Sequence, residues 1–309
     1  MLRLSLTSKV LFIISAFFVS PATAQQLDKP DLIQSFPVGN RPHHLVFDGA
    51  NIWVTNHDDG TVMKLRASDG TIQGTFPAGP TPLYITFDGA NIWVGNNDVN
   101  SVTKLRASDG VVLGTFFVPD QSTGIAFDGN SIWVASYGQN TVTKLLASDG
   151  TIEGNFPVGA YPRDVLFDGT NIWVANYGGS VTKLRASDGA VLGTFTGVGN
   201  AEGLAFDGVI IWVTNYYGST VGALRARDGM LLATHHVGRG PYGITFDGAD
   251  IWVASSNNNN VERLQGGHGR NKHTYPTGNF PIGVVFDGKS IWSANYYSNT
   301  VSKITRTPP

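Results

Sequence analysis

A single tripeptide, Phe-Asp-Gly, recurs seven times in 309 residues, beginning at Phe47, Phe87, Phe127, Phe167, Phe206, Phe246 and Phe286. Successive copies lie 40, 40, 40, 39, 40 and 40 residues apart, and Ile-Trp follows each, so all seven tryptophans hold one position of the repeat. A fixed period of about 40 residues with four strand-like runs per period marks a β-propeller or a β-solenoid, whose units bury their apolar faces only against their neighbours.

One unit shows the four runs. Leu83 to Phe87 ends in Asp88-Gly89, a pair that tolerates positive φ and reverses the chain. Asn91 to Gly95 is rich in β-branched and aromatic residues and reads as the second strand. After a polar loop, Ser101 to Ala107 reads as a third strand near the outer edge, where the stem of Lys104 would cover apolar surface with its head in water. Ser108-Asp109-Gly110 then turns the chain into a fourth strand, Val111 to Val118.

The ends of the repeat array separate the two architectures. Leu32 to Gly39 matches a fourth strand with no first three before it, whereas the last unit has three strands, ending near Ile304, and no fourth. Together they make one unit, so the N-terminal strand is expected to complete the last blade and leave no open edge. The expected fold is an all-β, seven-bladed β-propeller of four-stranded antiparallel blades over residues 32–305, with a flexible lead at 25–31 and a tail at 306–309.

Arg3 and Lys9, the apolar run Val10 to Val19 and Ala22-Thr23-Ala24 read as a signal peptide over residues 1–24. The run is too short to span a membrane of ~30 Å as a helix, so no membrane anchor is expected and the protein should be secreted or periplasmic. Without Arg3 and Lys9 the chain keeps 19 Lys+Arg against 23 Asp+Glu, a net charge of −4. Such a chain lacks the basic stripe that nucleic acid requires. With no cysteine, ring closure rather than disulfides must hold the fold, and thiol chemistry is excluded.

The pattern Phe-Asp-Gly-x-x-Ile-Trp-Val-x-Asn, followed by Thr-Val-x-Lys-Leu and a Val-Gly-x-x-Pro loop, resembles the YVTN/YncE-like seven-bladed propellers over about residues 32–305. Its aspartyl-glycyl turn before an aromatic strand is also similar to the streptogramin (virginiamycin B) lyase group. That group's second strand typically ends Trp-Phe-Thr-Glu, and its divalent metal site draws on glutamates and histidines there. This chain instead carries Asn56, Asn96, Ser136, Asn176, Asn215, Ser255 and Asn295 at the equivalent positions. The resemblance implies the fold and keeps a metal-dependent lyase or hydrolase as the alternative function.

Antiparallel connectivity puts the turns after the first and third strands on one face of the disc and the remaining loops on the other. The first face is constant, with Phe-Asp-Gly in every unit and Ala-Ser-Asp-Gly in the first four, as turn geometry demands. The opposite face varies and is rich in aromatic and amide side chains, the chemistry of recognition surfaces. Candidate ligand-binding residues there are His43, His44, His57, Tyr84, Tyr137, Arg163, Asp164, Glu202, Tyr216, Tyr242 and Tyr296. His43, His44, His57, Asp58 and Asp59 form the one cluster with divalent-metal donors, though without fixed ligand spacing, and no cofactor is assigned. Arg163, Asp164 and Glu202 read either as binding groups or as an inter-blade salt bridge. His235 stands where other units have phenylalanine and reads as a core substitution.

No nucleophile, base and orienting group can be assembled from local motifs, and only three glutamates are present, Glu153, Glu202 and Glu262. The sequence therefore points to an exported, monomeric, non-enzymatic binding or scaffold propeller. Its expected partner is a protein, a peptide or a glycan, met on the variable face around the central channel.

Overall fold

A computed structural model describes residues 31–306 apart from Gly267; the signal peptide, nearly all of the lead and most of the tail lie outside the described residues. Twenty-eight strands of six residues each form seven four-stranded antiparallel sheets. Blade one is representative, with strands Pro42–Phe47, Asn51–Asn56, Thr61–Arg66 and Ile72–Pro77. The first strand of every blade packs against the first strands of both neighbours, so these seven line the central channel. Blade seven contains Pro281–Phe286, Ser290–Asn295 and Thr300–Thr305, and Leu32–Pro37 completes it. The closing register runs from Leu32 opposite Thr305 to Pro37 opposite Thr300, which joins the two ends of the array in one sheet.

The seven tryptophans are fully buried. Trp53 packs with Ile85, Ile92, Val94 and Leu105 of blade two, and the other six repeat this arrangement from blade to blade. A buried indole N–H needs an acceptor, and the tripeptide supplies it. Trp53 Nε1 donates to Asp48 Oδ2 at 2.7 Å, while Asp48 Oδ1 accepts the backbone N–H groups of Ala50 and Asn51. The same three bonds recur in all seven blades. Phe-Asp-Gly is thus a turn and an indole cap in one.

The second constant turn is equally constrained. Gly70 has φ +77°, and a Cβ there would run into the Phe36 ring of the preceding blade. His235 holds this ring position in blade five, 5.9 Å from Trp212 and against Gly269, so it is the expected core substitution.

The third-strand lysines depart from the expectation of wet heads. Lys104 is 8% exposed, and its Nζ sits 5.0 Å from the Trp93 ring and donates to the Ala147 carbonyl of blade three at 2.7 Å. Lys64, Lys144, Lys183 and Lys303 reach the next blade in the same way, the last closing the ring onto Ala67 at 2.6 Å. The carbonyls of the neighbouring turn and the tryptophan face replace water, which an isolated-blade reading misses. Blade five has Ala223 at this position, and Arg263 of blade six turns back onto Asp250 of its own blade. Both seams of blade six therefore lack the lysine bridge.

Candidate functional site

Each channel-lining strand carries an irregularity at the mouth on the variable face. In blade one the pairing passes from Pro42 opposite Asn56 to Leu45 opposite Val54, and comparable register shifts follow Pro82, Ser122, Pro162, Ala201, Pro241 and Pro281. Consecutive residues of a regular strand point to opposite faces; a bulge re-aims them. All nine non-glycine residues with positive φ among the described residues also lie on this face, among them Arg41, Thr81, Tyr161 and Phe280, each directly before a repeated proline. Such conformations cost an ordinary side chain energy and cluster at functional sites.

From blade five round through blade seven to blade two the mouth is aromatic. His43 and His44 sit side by side with Nδ1 facing Nδ1 at 2.7 Å. His44 stacks on Tyr84 with centroids 3.8 Å apart, and Tyr242 and Tyr296 present edges to His43 at 5.9 and 6.0 Å. Tyr216 meets Tyr242 edge-on at 6.1 Å. Burial pushes His44 down to about 3 and lowers His43, helped by the nearby His44, His57 and Arg163, so both imidazoles are neutral at pH 7.

Blades four and five supply the charge. Arg163 lies between Tyr137 at 4.7 Å and Tyr177 at 5.2 Å, and its Nε is 3.7 Å from Oε1 of the buried Glu202. That separation exceeds a hydrogen bond, and Nε is buried with no partner among the described residues. Burial alone would lower the Arg163 pKa, but the surrounding Glu202, Tyr242 and Tyr84 raise it, so the guanidinium stays charged. Burial raises the Glu202 carboxyl, opposed by Arg163 and the Tyr242 hydroxyl. Asp164 does not pair with Arg163. It accepts the backbone N–H groups of Val165 and, across the seam, Leu204, each at 2.9 Å, and desolvation carries it to about 7 despite those bonds.

Ring and charge contacts thus link the candidate residues around the mouth, with His57 at its margin, bonded to Asp58 at 2.7 Å and 6.4 Å ring to ring from Tyr296. The five proposed metal donors do not converge: Asp59 accepts two bonds from Asn40, and Asp58 pairs with Arg41 at 3.2 Å. Among the described residues no three His, Asp or Glu side chains gather as a metal-holding set. Tyr177 was missed as a site residue, although its position matches Tyr137 one repeat earlier; only the position of Arg163 between them reveals its use.

No family model and no curated protein matches this chain. Among solved structures, Kuenenia stuttgartiensis hydrazine synthase superposes with a TM-score of 0.77 at 19% identity, covering 93% of this chain and 99% of that one. A streptogramin B lyase structure gives 0.77 at 20% identity, covering 90% and 98%. These likenesses show the fold alone. The positions where the lyase group carries glutamate point into the blades here: Asn56, Asn96, Asn176 and Asn295 are fully buried and bond to third-strand hydroxyls.

Three further concavities lie off the channel, one of about 320 Å³ on the constant face beside Asp287, Lys289 and Lys303. Another of about 280 Å³ at the seam of blades seven and one is lined by Arg41, Asp58, Tyr296 and Tyr297 among others. The third, about 430 Å³ and mainly apolar, runs along the rim between blades one and two beside Phe117, which is 75% exposed.

Proposed function

We propose that this protein is an exported, non-enzymatic binding propeller whose variable face receives an uncharged, hydroxyl-rich group, such as a glycan terminus, at the channel mouth. The observation that carries this reading is Arg163, a charged guanidinium held between two tyrosine faces whose Nε has no hydrogen-bond partner among the described residues. Its charge is balanced by Glu202, so the site has no surplus charge for an ionic ligand. It offers unused donors from Arg163 and acceptors from Glu202 and Asp164, a complement to hydroxyls that both donate and accept. Tyr84, Tyr137, Tyr177 and Tyr242 supply rigid apolar faces for a sugar ring.

Glycan-array screening of the mature protein, followed by calorimetry on the hits, tests the reading. Arg163→Ala should weaken binding about ten- to a hundredfold, the value of hydrogen bonds to a charged group, and Tyr84→Ala should also weaken it. Asn91→Ala on the constant face should leave affinity unchanged. A preference for charged ligands, or full affinity in Arg163→Ala, would refute it.

A further inference from the structure

A His-His dipeptide in a regular strand would send one imidazole to each face. The bulge between Pro42 and Leu45 instead places both rings among the channel aromatics, with one proton shared between the two Nδ1 atoms at 2.7 Å. Two ring nitrogens aimed at one point form a clamp when the atom between them is a metal ion rather than a proton.

We infer that His43 and His44 form a two-coordinate site for a soft monovalent d10 cation of the Cu(I) class, bound between the two Nδ1 atoms inside the cage of Tyr84, Tyr242 and Tyr296. The ring that holds its proton on Nδ1 moves it to Nε2, so both nitrogens present lone pairs and no proton is released. Metal–nitrogen bonds of about 2.0 Å set the nitrogens about 4 Å apart, so the rings swing apart on loading.

The donor count selects the ion. Zn²⁺ requires about four ligands and Ca²⁺ six or more, and no third His, Asp or Glu joins the pair among the described residues. A two-coordinate d10 ion needs only the two imidazoles. The pair is enclosed by aromatic rings, with Tyr84 stacked on His44 and Tyr242 and Tyr296 in T-shaped contact with His43, which keeps water from adding further ligands. Of the nearby positive charges, Arg163 is offset by Glu202 at 3.7 Å and Arg41 by Asp58 at 3.2 Å.

The inference is independent of the glycan reading and is tested on the mature protein by anaerobic Cu(I) titration against a chromogenic chelator. Ag⁺ calorimetry serves as the redox-inert parallel. One equivalent should bind. His43→Ala and His44→Ala should each lose more than about a hundredfold in affinity, beyond the range for outer-shell changes, while His57→Ala binds like the parent. Zn²⁺ in equal amount should not displace the ion. In the unaltered protein, nitrogen-15 spectra should show both Nδ1 signals moving on loading and both Nε2 atoms protonated, a readout that stands even if a variant fails to fold. Absence of saturable uptake, uptake that survives loss of either histidine in a folded variant, or displacement by Zn²⁺ would overturn the assignment.

Discussion

On the constant face each Phe-Asp-Gly aspartate accepts two backbone N–H groups and an indole N–H, as Asp128 does for Asn130, Ser131 and Trp133. On the variable face Arg163 Nε has no hydrogen-bond partner among the described residues. The contrast lies in satisfaction, not polarity, since both faces are built from polar turns. A face whose polar groups are consumed by the fold has nothing left to offer a ligand; one that keeps donors unused at some cost in stability is organised around something outside itself.

The largest test of this contrast sets Trp133 against Tyr137, four residues apart on opposite sides of it. Trp133→Ala should cost about 3 to 5 kcal/mol in chemical denaturation, as large-to-small core changes do. Tyr137→Ala should cost under about 1 kcal/mol, in the range of surface changes. Equal losses would erase the distinction between the faces.

A smaller effect is expected where the blades are tied together. Lys303→Met removes the donor to the Ala67 carbonyl while keeping the apolar stem, and should cost about 1 kcal/mol. Hydrogen exchange should show the seams of blade six, which lack such a tie, opening before the seam of blades seven and one. Uniform protection around the ring would show that the lysines carry no share of the closure.

A further effect concerns pH. Asp164, raised in the fold to about 7, adds stability below its ordinary pKa of 3.8 that is lost as pH rises toward 7. His43 and His44 act oppositely: their lowered pKa values subtract stability as pH falls below 6.5. The two trends oppose each other between about pH 4 and 6.5. Asp164→Asn should therefore melt progressively earlier than the parent as the buffer is acidified through that window. Parallel melting curves for the two proteins would remove Asp164 from the balance.

The blade count, the closing strand and the tryptophan ring were legible in the sequence because a repeat compares each residue with six internal counterparts. Leu32 to Pro37 could be assigned to the last blade before any coordinates, and its register agrees. His235 was readable for the same reason. The buried lysine heads were not, because their acceptors lie some 43 residues away in the next blade. How the polar groups of blade one's two loops are used was not legible either: Asp58 and Asp59 are taken up by Arg41 and Asn40 of the adjoining loop, a pairing no spacing in the sequence announces. The irregularity at the channel mouth leaves no mark in composition, yet it decides which side chains share the opening.

Because that irregularity recurs in every blade, the channel mouth is written in seven dipeptides, from His43-His44 in blade one to Ile282-Gly283 in blade seven. In blades three, five, six and seven the second residue of the pair is glycine, and a Cβ at Gly124, Gly203, Gly243 or Gly283 would run into the backbone of the next blade. Specificity can therefore be rewritten at the first residue of those four pairs, and at both residues only in blades one, two and four. An array of this kind holds a vocabulary for recognition that shares some of its letters with the grammar of folding.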